Sequence, residues 1–455
     1  MVFFKYPSEI NKEEFNSKYK STAFYGLPLE IKFCPKCVIS NQRPSSAIEF
    51  KNNSKIKKKT INFDQDGICD ACKAKSLKQN INWQAREEQL RELCDKYRRN
   101  DGRYDCLIPG SGGKDSFMQA HLLKYKYNMN PLTCTWAPHI YTSWGWKNFQ
   151  SWIHAGFDNI LFTPNGRVHR LITRLAVENL FHPFQPFILG QKNLAPKIAD
   201  KYDIPLIFYG ENEAEYGNPI ADMSNAERSW DFFSSSGEDD IFLGGNNLSE
   251  LRELGLKPVD WEPYMPINPA ILKKKKIEIH YLGYYEKWHP QSAYYYAVDN
   301  GNFQSAPERT VGTYSTYNSI DDRIDDFHYH TTWIKFGIGR ATYDAAQEIR
   351  SGDLLREEGV ALVERFDGEF PNRFSKEIFD YLSIKNDEFP ISSKKFEQPI
   401  FSKQYYEDLS DNFRSPHLWK WEGDKWHLRK TVFDFDNNQE TVAKDWKGNN
   451  KNVSS

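Results

Sequence analysis

Apolar positions along the chain gather into short runs separated by longer amphipathic stretches. Residues 104–108, Tyr-Asp-Cys-Leu-Ile, read as a buried strand, and so do 131–137, 159–163 and 204–209. Around them, residues 81–99, 117–125, 148–156, 167–180 and 191–201 place apolar side chains at helical spacing among charges. Strands alternating with helices predict βαβ units and a parallel sheet, a Rossmann-like α/β class. Ligands of such sheets sit at the carboxyl ends of strands. Two polar turns fall there, 109–116 and 210–212.

From 214 to 263 the pattern fades into Gly/Ser/Asp-rich chain. Residues 234–240 read as a mobile loop, either a lid over the site or a plain insertion. Helical character returns over 319–364, where Ser319-Ile320-Asp321-Asp322 has the form of a capping box. Asp322, Asp326 and His330 then fall at i, i+4 and i+8 on one face. That face either holds a metal or polar substrate, or only caps and pairs. Near the end, Leu418-Trp419-Lys420-Trp421 and Lys425-Trp426-His427-Leu428 flank Glu422-Gly423-Asp424, an aromatic hairpin that packs on the core or docks a partner. Residues 448–455 read as disordered. The chain thus divides into an N-terminal segment (1–80), an α/β domain (81–265), a mostly helical substrate or closing region (266–385) and an appendage (386–455).

A length of 455 residues agrees with such a division. The formal charge of −2 argues against a strongly electrostatic nucleic-acid binder. No apolar run approaches the ~18–20 residues of a membrane helix. The first residues lack a basic segment followed by a long apolar one, so the expectation is a cytoplasmic protein without membrane insertion. Seven cysteines in that setting suggest metal ligands or free thiols rather than disulfides.

Four of them are paired as Cys34-Pro35-Lys36-Cys37 and Cys69-Asp70-Ala71-Cys72. Two C-x-x-C knuckles gripping one ion make a tetrahedral four-cysteine site. With every position a cysteine, no coordination site is left for water, so the expected metal is a structural zinc in a ribbon. An iron–sulfur cluster or a chance pairing is the alternative.

The strongest chemical signal is Pro109-Gly110-Ser111-Gly112-Gly113-Lys114-Asp115-Ser116, between the first strand and a helix. Backbone N–H groups of a glycine turn and a helix N-terminus point at an anion there. Ser111 and Ser116 add hydroxyls, and Lys114 adds a charge. The Walker A pattern is excluded, because Ile108 stands where its first glycine belongs and Asp115 follows the lysine. The S-G-G-x-D-S form resembles the PP-loop of ATP pyrophosphatases, which implies cleavage of ATP between the α- and β-phosphates.

Taken together, the chain resembles the N-acetyl-sugar amidotransferases of bacterial surface-polysaccharide and flagellin-glycan pathways. The likeness rests on three blocks: the two cysteine pairs, the loop 108–116, and a third block. The third runs from Ile320-Asp321-Asp322 and Phe327-His328-Tyr329 through Lys335-Phe336-Gly337-Ile338-Gly339-Arg340 to Glu348-Ile349-Arg350 and Arg356-Glu357-Glu358. It spans roughly residues 33–371 and leaves the hairpin outside.

The resemblance implies that ATP adenylates a sugar acetamido oxygen and that ammonia displaces AMP, leaving an acetamidino group. Lys114, the loop N–H groups, Ser111 and Ser116 would hold the phosphates, and Asp115 would hold Mg2+. Lys335 and Arg340 would balance the departing pyrophosphate. Trp136 and Glu211, at ends of the second and fourth strands, join the nucleotide-binding candidates, Glu211 as an orienting group or metal ligand. The substrate would be a nucleotide-activated N-acetyl sugar. No glutaminase signature is present, so a separate glutaminase with a cyclase-like companion would supply ammonia. A tRNA thiolation enzyme is the main alternative, but the further cysteine pair expected near the loop is missing: Cys106 lies in the strand and Cys134 is alone. A non-catalytic nucleotide-binding subunit is the other, and Lys114-Asp115-Ser116 argues against it.

Overall fold

The computed structural model describes residues 7–16, 22–210, 214, 217–218 and 225–437. Helices α1 (Asp70–Lys78) and α2 (Trp83–Tyr97) lead into β1 (Cys106–Pro109), followed by α3 (Lys114–His121), β2 (Pro131–Trp136), α4 (Ser143–His154) and β3 (Asp158–Phe162). Two long helices, α5 (Gly166–Leu180) and α6 (Gln185–Tyr202), precede β4 (Leu206–Tyr209). A small hairpin of β5 (Phe242–Leu243) and β6 (Asn246–Asn247) and helices α7 (Leu248–Glu253), α8 (Pro258–Trp261) and α9 (Pro269–Lys275) then lead to β7 (Glu278–Tyr281).

Five strands form one parallel sheet in the order β3-β2-β1-β4-β7. The expected parallel α/β sheet is therefore present. β7 lies beyond residue 265, so the sheet extends across the boundary expected there. After β3 the chain returns to the other side of β1, which puts the switch point between β1 and β4.

Period-2 alternation gives the sheet its two faces. Leu107, Leu132 and Ile207 pack against Leu171 and Leu175 of α5 and Leu189 and Ala199 of α6. Cys106, Ile108 and Phe208 face Leu90 of α2, Phe117 of α3 and Trp152 of α4 on the opposite side.

Short helix α10 (Leu282–Tyr285) and α11 (Pro290–Gly301) follow β7, and the C-terminal part is largely helical: α12 (Asp325–Phe336), α13 (Arg340–Ser351), α14 (Arg356–Phe366), α15 (Ser375–Leu382) and α16 (Lys403–Phe413). Gly337 and Gly352, left-handed at φ +67° and +90°, end α12 and α13 and split the stretch 319–364 into three helices. The capping box expected at Ser319 does not form, because the helix starts six residues later.

The aromatic hairpin is present as β8 (Trp419–Glu422) and β9 (Lys425–Leu428), but it is no appendage. Trp419 is fully buried, clusters with Phe15, Leu27 and Phe336, and donates its indole N–H to Ile334 O at 2.8 Å. The N-terminal residues and the hairpin thus share one core. The last helix among the described residues is α17 (Val432–Asn437), and residues 448–455 lie outside them.

Candidate active site

β1 ends at Pro109, and α3 begins at Lys114 with Gly113 as its N-cap, so the loop sits at a strand end and a helix start. Two glycines are required by space. Gly112 has φ +85°, and a Cβ there would come within 2.9 Å of Asn148 O and of Phe149 Cα. A Cβ on Gly110 would meet Ser116 Cβ at 2.4 Å. The loop therefore lies tight on α4. Ser116 Oγ donates to Gly113 O at 3.0 Å, which closes the first turn of α3.

The loop opens on a cavity of about 700 Å³ at the carboxyl ends of β1, β4 and β7. Its other walls come from the cysteine segment (Ile39, Arg43, Ala71), from α6 (Gln191, Lys192), and from α12 and α13 (His328, Tyr329, Arg340). Of the loop residues, Pro109, Gly110, Ser111, Gly113, Lys114, Asp115 and Ser116 line it, while Gly112 turns against α4.

Two of the loop's three side-chain donors, Lys114 and Ser111, are held by carboxylates. Lys114 Nζ is 2.6 Å from Asp115 Oδ2, and Asp115 Oδ1 accepts the Trp288 indole N–H at 2.8 Å. Ser111 Oγ donates to Asp321 Oδ2 at 2.6 Å. Burial raises the Asp321 carboxyl to about 6. Asp321 is presented by a stitched loop: Thr142 N–H donates to Asp321 O, and Asp322 accepts His139 N–H, His139 Nδ1–H and Ile140 N–H. Gly145 allows this approach, since a Cβ there would lie 2.6 Å from Asp321 Cα.

The sequence pointed to Lys335 and Arg340 as a pair, but the structure separates them. Arg340 lines the cavity and pairs with Asp344 at 3.0 Å and with the Tyr329 hydroxyl. Lys335 is buried elsewhere, its Nζ donating to Leu180 O at 2.5 Å. Leu180 ends α5, whose last carbonyls have no helical donor and carry the negative end of the dipole, and a lysine from α12 satisfies one of them.

Trp136 also lies away from the cavity. It is core, stacked on Phe162 and edge-on to Tyr264, with Gly190 of α6 pressed against its ring. Its indole is needed to fill the space between β2 and α6. Asp322, Asp326 and His330 share no site. Asp322 precedes α12 and binds His139, Asp326 takes Arg373 at 2.9 Å, and His330 bonds the Tyr406 hydroxyl at 2.5 Å. Capping and pairing account for all three. Glu211 lies outside the described residues. The loop 234–240 contributes nothing to the cavity wall.

The four paired cysteines do converge. All are buried, and their Sγ atoms lie within 4.8 Å of one another. Cys34 Sγ is 3.9 Å from Cys72 Sγ, and Cys37 Sγ is 3.8 Å from Cys69 Sγ. A tetrahedral ion with ~2.3 Å metal–sulfur bonds needs ligand sulfurs ~3.8 Å apart, so the donor set fits zinc. Cys69 N–H points at Cys34 Sγ, and Arg356 Nε donates to Cys37 O at 3.1 Å. The cysteine segment is thus fastened to α13 and α14, in one core with Ala345 and Val363. The remaining three cysteines are buried in the core, and burial raises the thiols of Cys94 and Cys106.

Trp288, Arg43, Lys192 and Arg228 line the cavity without having been singled out from the sequence, and Asp321 lines it without having been given a role there. Asp321 lay inside a recognisable block, but only its contact with Ser111 gives it a role. Nothing in the local pattern marks the others.

Residues 311–432 match the family model of the C-terminal domain of WbpG-like LPS biosynthesis proteins. That segment contributes Asp321, His328, Tyr329 and Arg340 to the cavity. The match likens this segment, and not the rest of the chain, to proteins of lipopolysaccharide biosynthesis. The uncharacterized protein MJ1599 of Methanocaldococcus jannaschii is 36% identical over 75 residues, 16% of this chain. The match spans 27% of that relative's own length. Among the described residues, no helix is long and apolar enough to cross a membrane.

Proposed function

We propose that the protein is an ATP-dependent amidotransferase, forming AMP and pyrophosphate, that converts the acetamido group of a nucleotide-activated sugar into an acetamidino group for surface-glycan synthesis. One observation carries the reading. The glycine loop at the end of β1 faces, across one cavity, the segment that matches a glycan-biosynthesis family, with Ser111 and Asp321 in direct contact.

An acetamide carbonyl is a poor electrophile, and its oxygen leaves badly. Attack of that oxygen on the α-phosphorus of ATP forms an O–P bond as the bond to pyrophosphate breaks. Ammonia then adds to the activated carbon, AMP departs with the former acetamide oxygen, and one ammonia proton is lost to give the amidine. For the first half, positioning and charge neutralisation do most of the work. The loop N–H groups, Ser111, Ser116 and Lys114 bind the β- and γ-phosphates. Arg340, opposite the loop, offsets charge on the departing pyrophosphate. Asp115 would hold Mg2+, which supplies further charge neutralisation on the phosphates. Zinc on Cys34, Cys37, Cys69 and Cys72 has a structural role, since all four positions are thiolates. Ammonia comes from a separate glutaminase with a cyclase-like companion.

ATP–pyrophosphate exchange tests the reading. Exchange is expected only with a nucleotide-linked acetamido sugar present, and amidine product is expected when ammonium is added. Exchange driven by tRNA, or none across a panel of such sugars, would overturn it.

A further inference from the structure

Three carboxylates among the described residues line the cavity, and one of them carries no cation. Asp115 holds Lys114 at 2.6 Å, and Asp344 holds Arg340 at 3.0 Å. Asp321 takes only the Ser111 hydroxyl, at 2.6 Å. It stands where two different walls meet. On one side is the glycine loop, where a Cβ on Gly113 would lie 3.9 Å from Asp321 Oδ2. On the other, Tyr317, Asn318, Ser319 and Ile320 line the cavity with an aromatic ring, an amide and a hydroxyl, and with no charge. Neutral donors and acceptors of this kind suit sugar hydroxyls, as the loop suits phosphates.

The proposed reaction needs a proton acceptor at that junction, because the nitrogen of added ammonia must shed a proton before AMP departs. Other titratable groups of the wall serve poorly. Burial pushes the His328 imidazole well below its ordinary 6.5, which makes it a weak base. Lys192, drawn down to about 8 mainly by burial, still holds its proton at pH 7. Burial raises the Asp321 carboxyl to about 6 against the pull of the Ser111 hydrogen bond, so it is ionised at pH 7 and basic enough to accept a proton. A phosphate that took the Ser111 hydroxyl would remove that hydrogen bond and strengthen the base further. We infer that Asp321 is the catalytic base of the ammonia step. This rests on the reading of the cavity as the place where an adenylated sugar amide meets ammonia. As nitrogen bonds the imidate carbon, one N–H proton passes to the Asp321 carboxylate. The C–O bond then breaks, its electron pair leaves with AMP, and the carboxyl returns its proton to water. Adenylation does not use this base, since the acetamide oxygen attacks through a lone pair and carries no proton.

The two half-reactions separate this role from a part in ATP binding. The parent, Asp321→Asn and Asp321→Glu are each assayed for sugar-dependent ATP–pyrophosphate exchange and for amidine formation at saturating ammonium. Exchange in the asparagine variant is expected to stay within about threefold of the parent. Amidine formation in it is expected to fall by about 10²–10⁴-fold, the range for a positioned acid or base. Glutamate keeps the carboxylate and should recover part of that rate. Parallel losses in both assays would overturn the assignment and move Asp321 into the ATP half, and amidine formation at the parent rate in the asparagine variant would overturn it outright. Absence of exchange in the parent is a different result, which removes the proposed function on which this role rests.

Discussion

Ser111 and Asp321, 210 positions apart, share a 2.6 Å hydrogen bond that joins the glycine loop to the segment matching the WbpG-like C-terminal domain. The bond sets a condition on the site. Under the proposed function, a phosphate that took the Ser111 hydroxyl would displace Asp321 from it.

The Asp321 carboxyl also shapes stability. Burial raises it from 3.8 to about 6 in the folded chain. A carboxyl shifted up on folding disfavours the fold once both states are ionised, and the cost is relieved as pH falls from 6 toward 4. Asp321→Asn should therefore raise stability at pH 7, by up to about 3 kcal/mol, with the gain fading by pH 4. Paired urea melts of both proteins at pH 4, 5, 6 and 7 measure it. A difference independent of pH would contradict the assignment. Asp326 and Asp367, also raised to about 6, keep their own slope in both proteins and cancel in the comparison.

Lys114→Ala is expected to lower ATP–pyrophosphate exchange by about 10²–10³-fold, the scale for removing one positioned charge stabiliser. Zinc content should stay at the parent level, because Lys114 pairs with Asp115 and the metal-site cysteines lie outside that contact. Exchange assays and metal analysis on one preparation check both halves.

The parallel sheet, the loop at its first strand end and the convergence of four cysteines were legible because each is a local pattern. Alternation, a glycine turn and a C-x-x-C knuckle are written in neighbouring residues. What was not legible depended on contacts between distant elements. Lys335 and Arg340 sit five positions apart, yet the helix end at Leu180 claims one and the cavity the other. Trp136 ends the right strand but faces α6, where Gly190 makes room for it. The hairpin read as an appendage because its partners, Phe15 and Leu27, lie near the other end of the chain.

Cys69→Ser should remove the bound metal and lower the melting temperature, beyond any effect on the loop. The cysteine segment contributes Ile39, Arg43 and Ala71 to the cavity and is tied to α14 through Arg356. Loss of the ion therefore frees one wall of the site as well as a local ribbon. Metal analysis, thermal melts and exchange assays are expected to fall together. Exchange at the parent level in protein free of metal would show that the wall stands without it.

Lys335→Met and Arg340→Met form a matched pair, since they delete the two cations on either side of the Gly337–Gly339 turn. Lys335 caps the carbonyl end of α5, and burial pushes its ammonium well below the usual lysine range. Its loss leaves Leu180 O without that donor, a cost of about 1–3 kcal/mol, partly offset because an ammonium is no longer buried. The variant should melt slightly earlier and keep its exchange rate. Arg340 faces the cavity and is held between Asp344 and Tyr329. If the proposed reaction holds, its charge acts as negative charge builds on the leaving pyrophosphate, and kcat should fall by roughly 10²-fold or more while KM for ATP changes little. Steady-state kinetics of the two variants side by side decide the matter. Equal losses of kcat in both would return Lys335 to the reaction and remove the distinction that their positions draw.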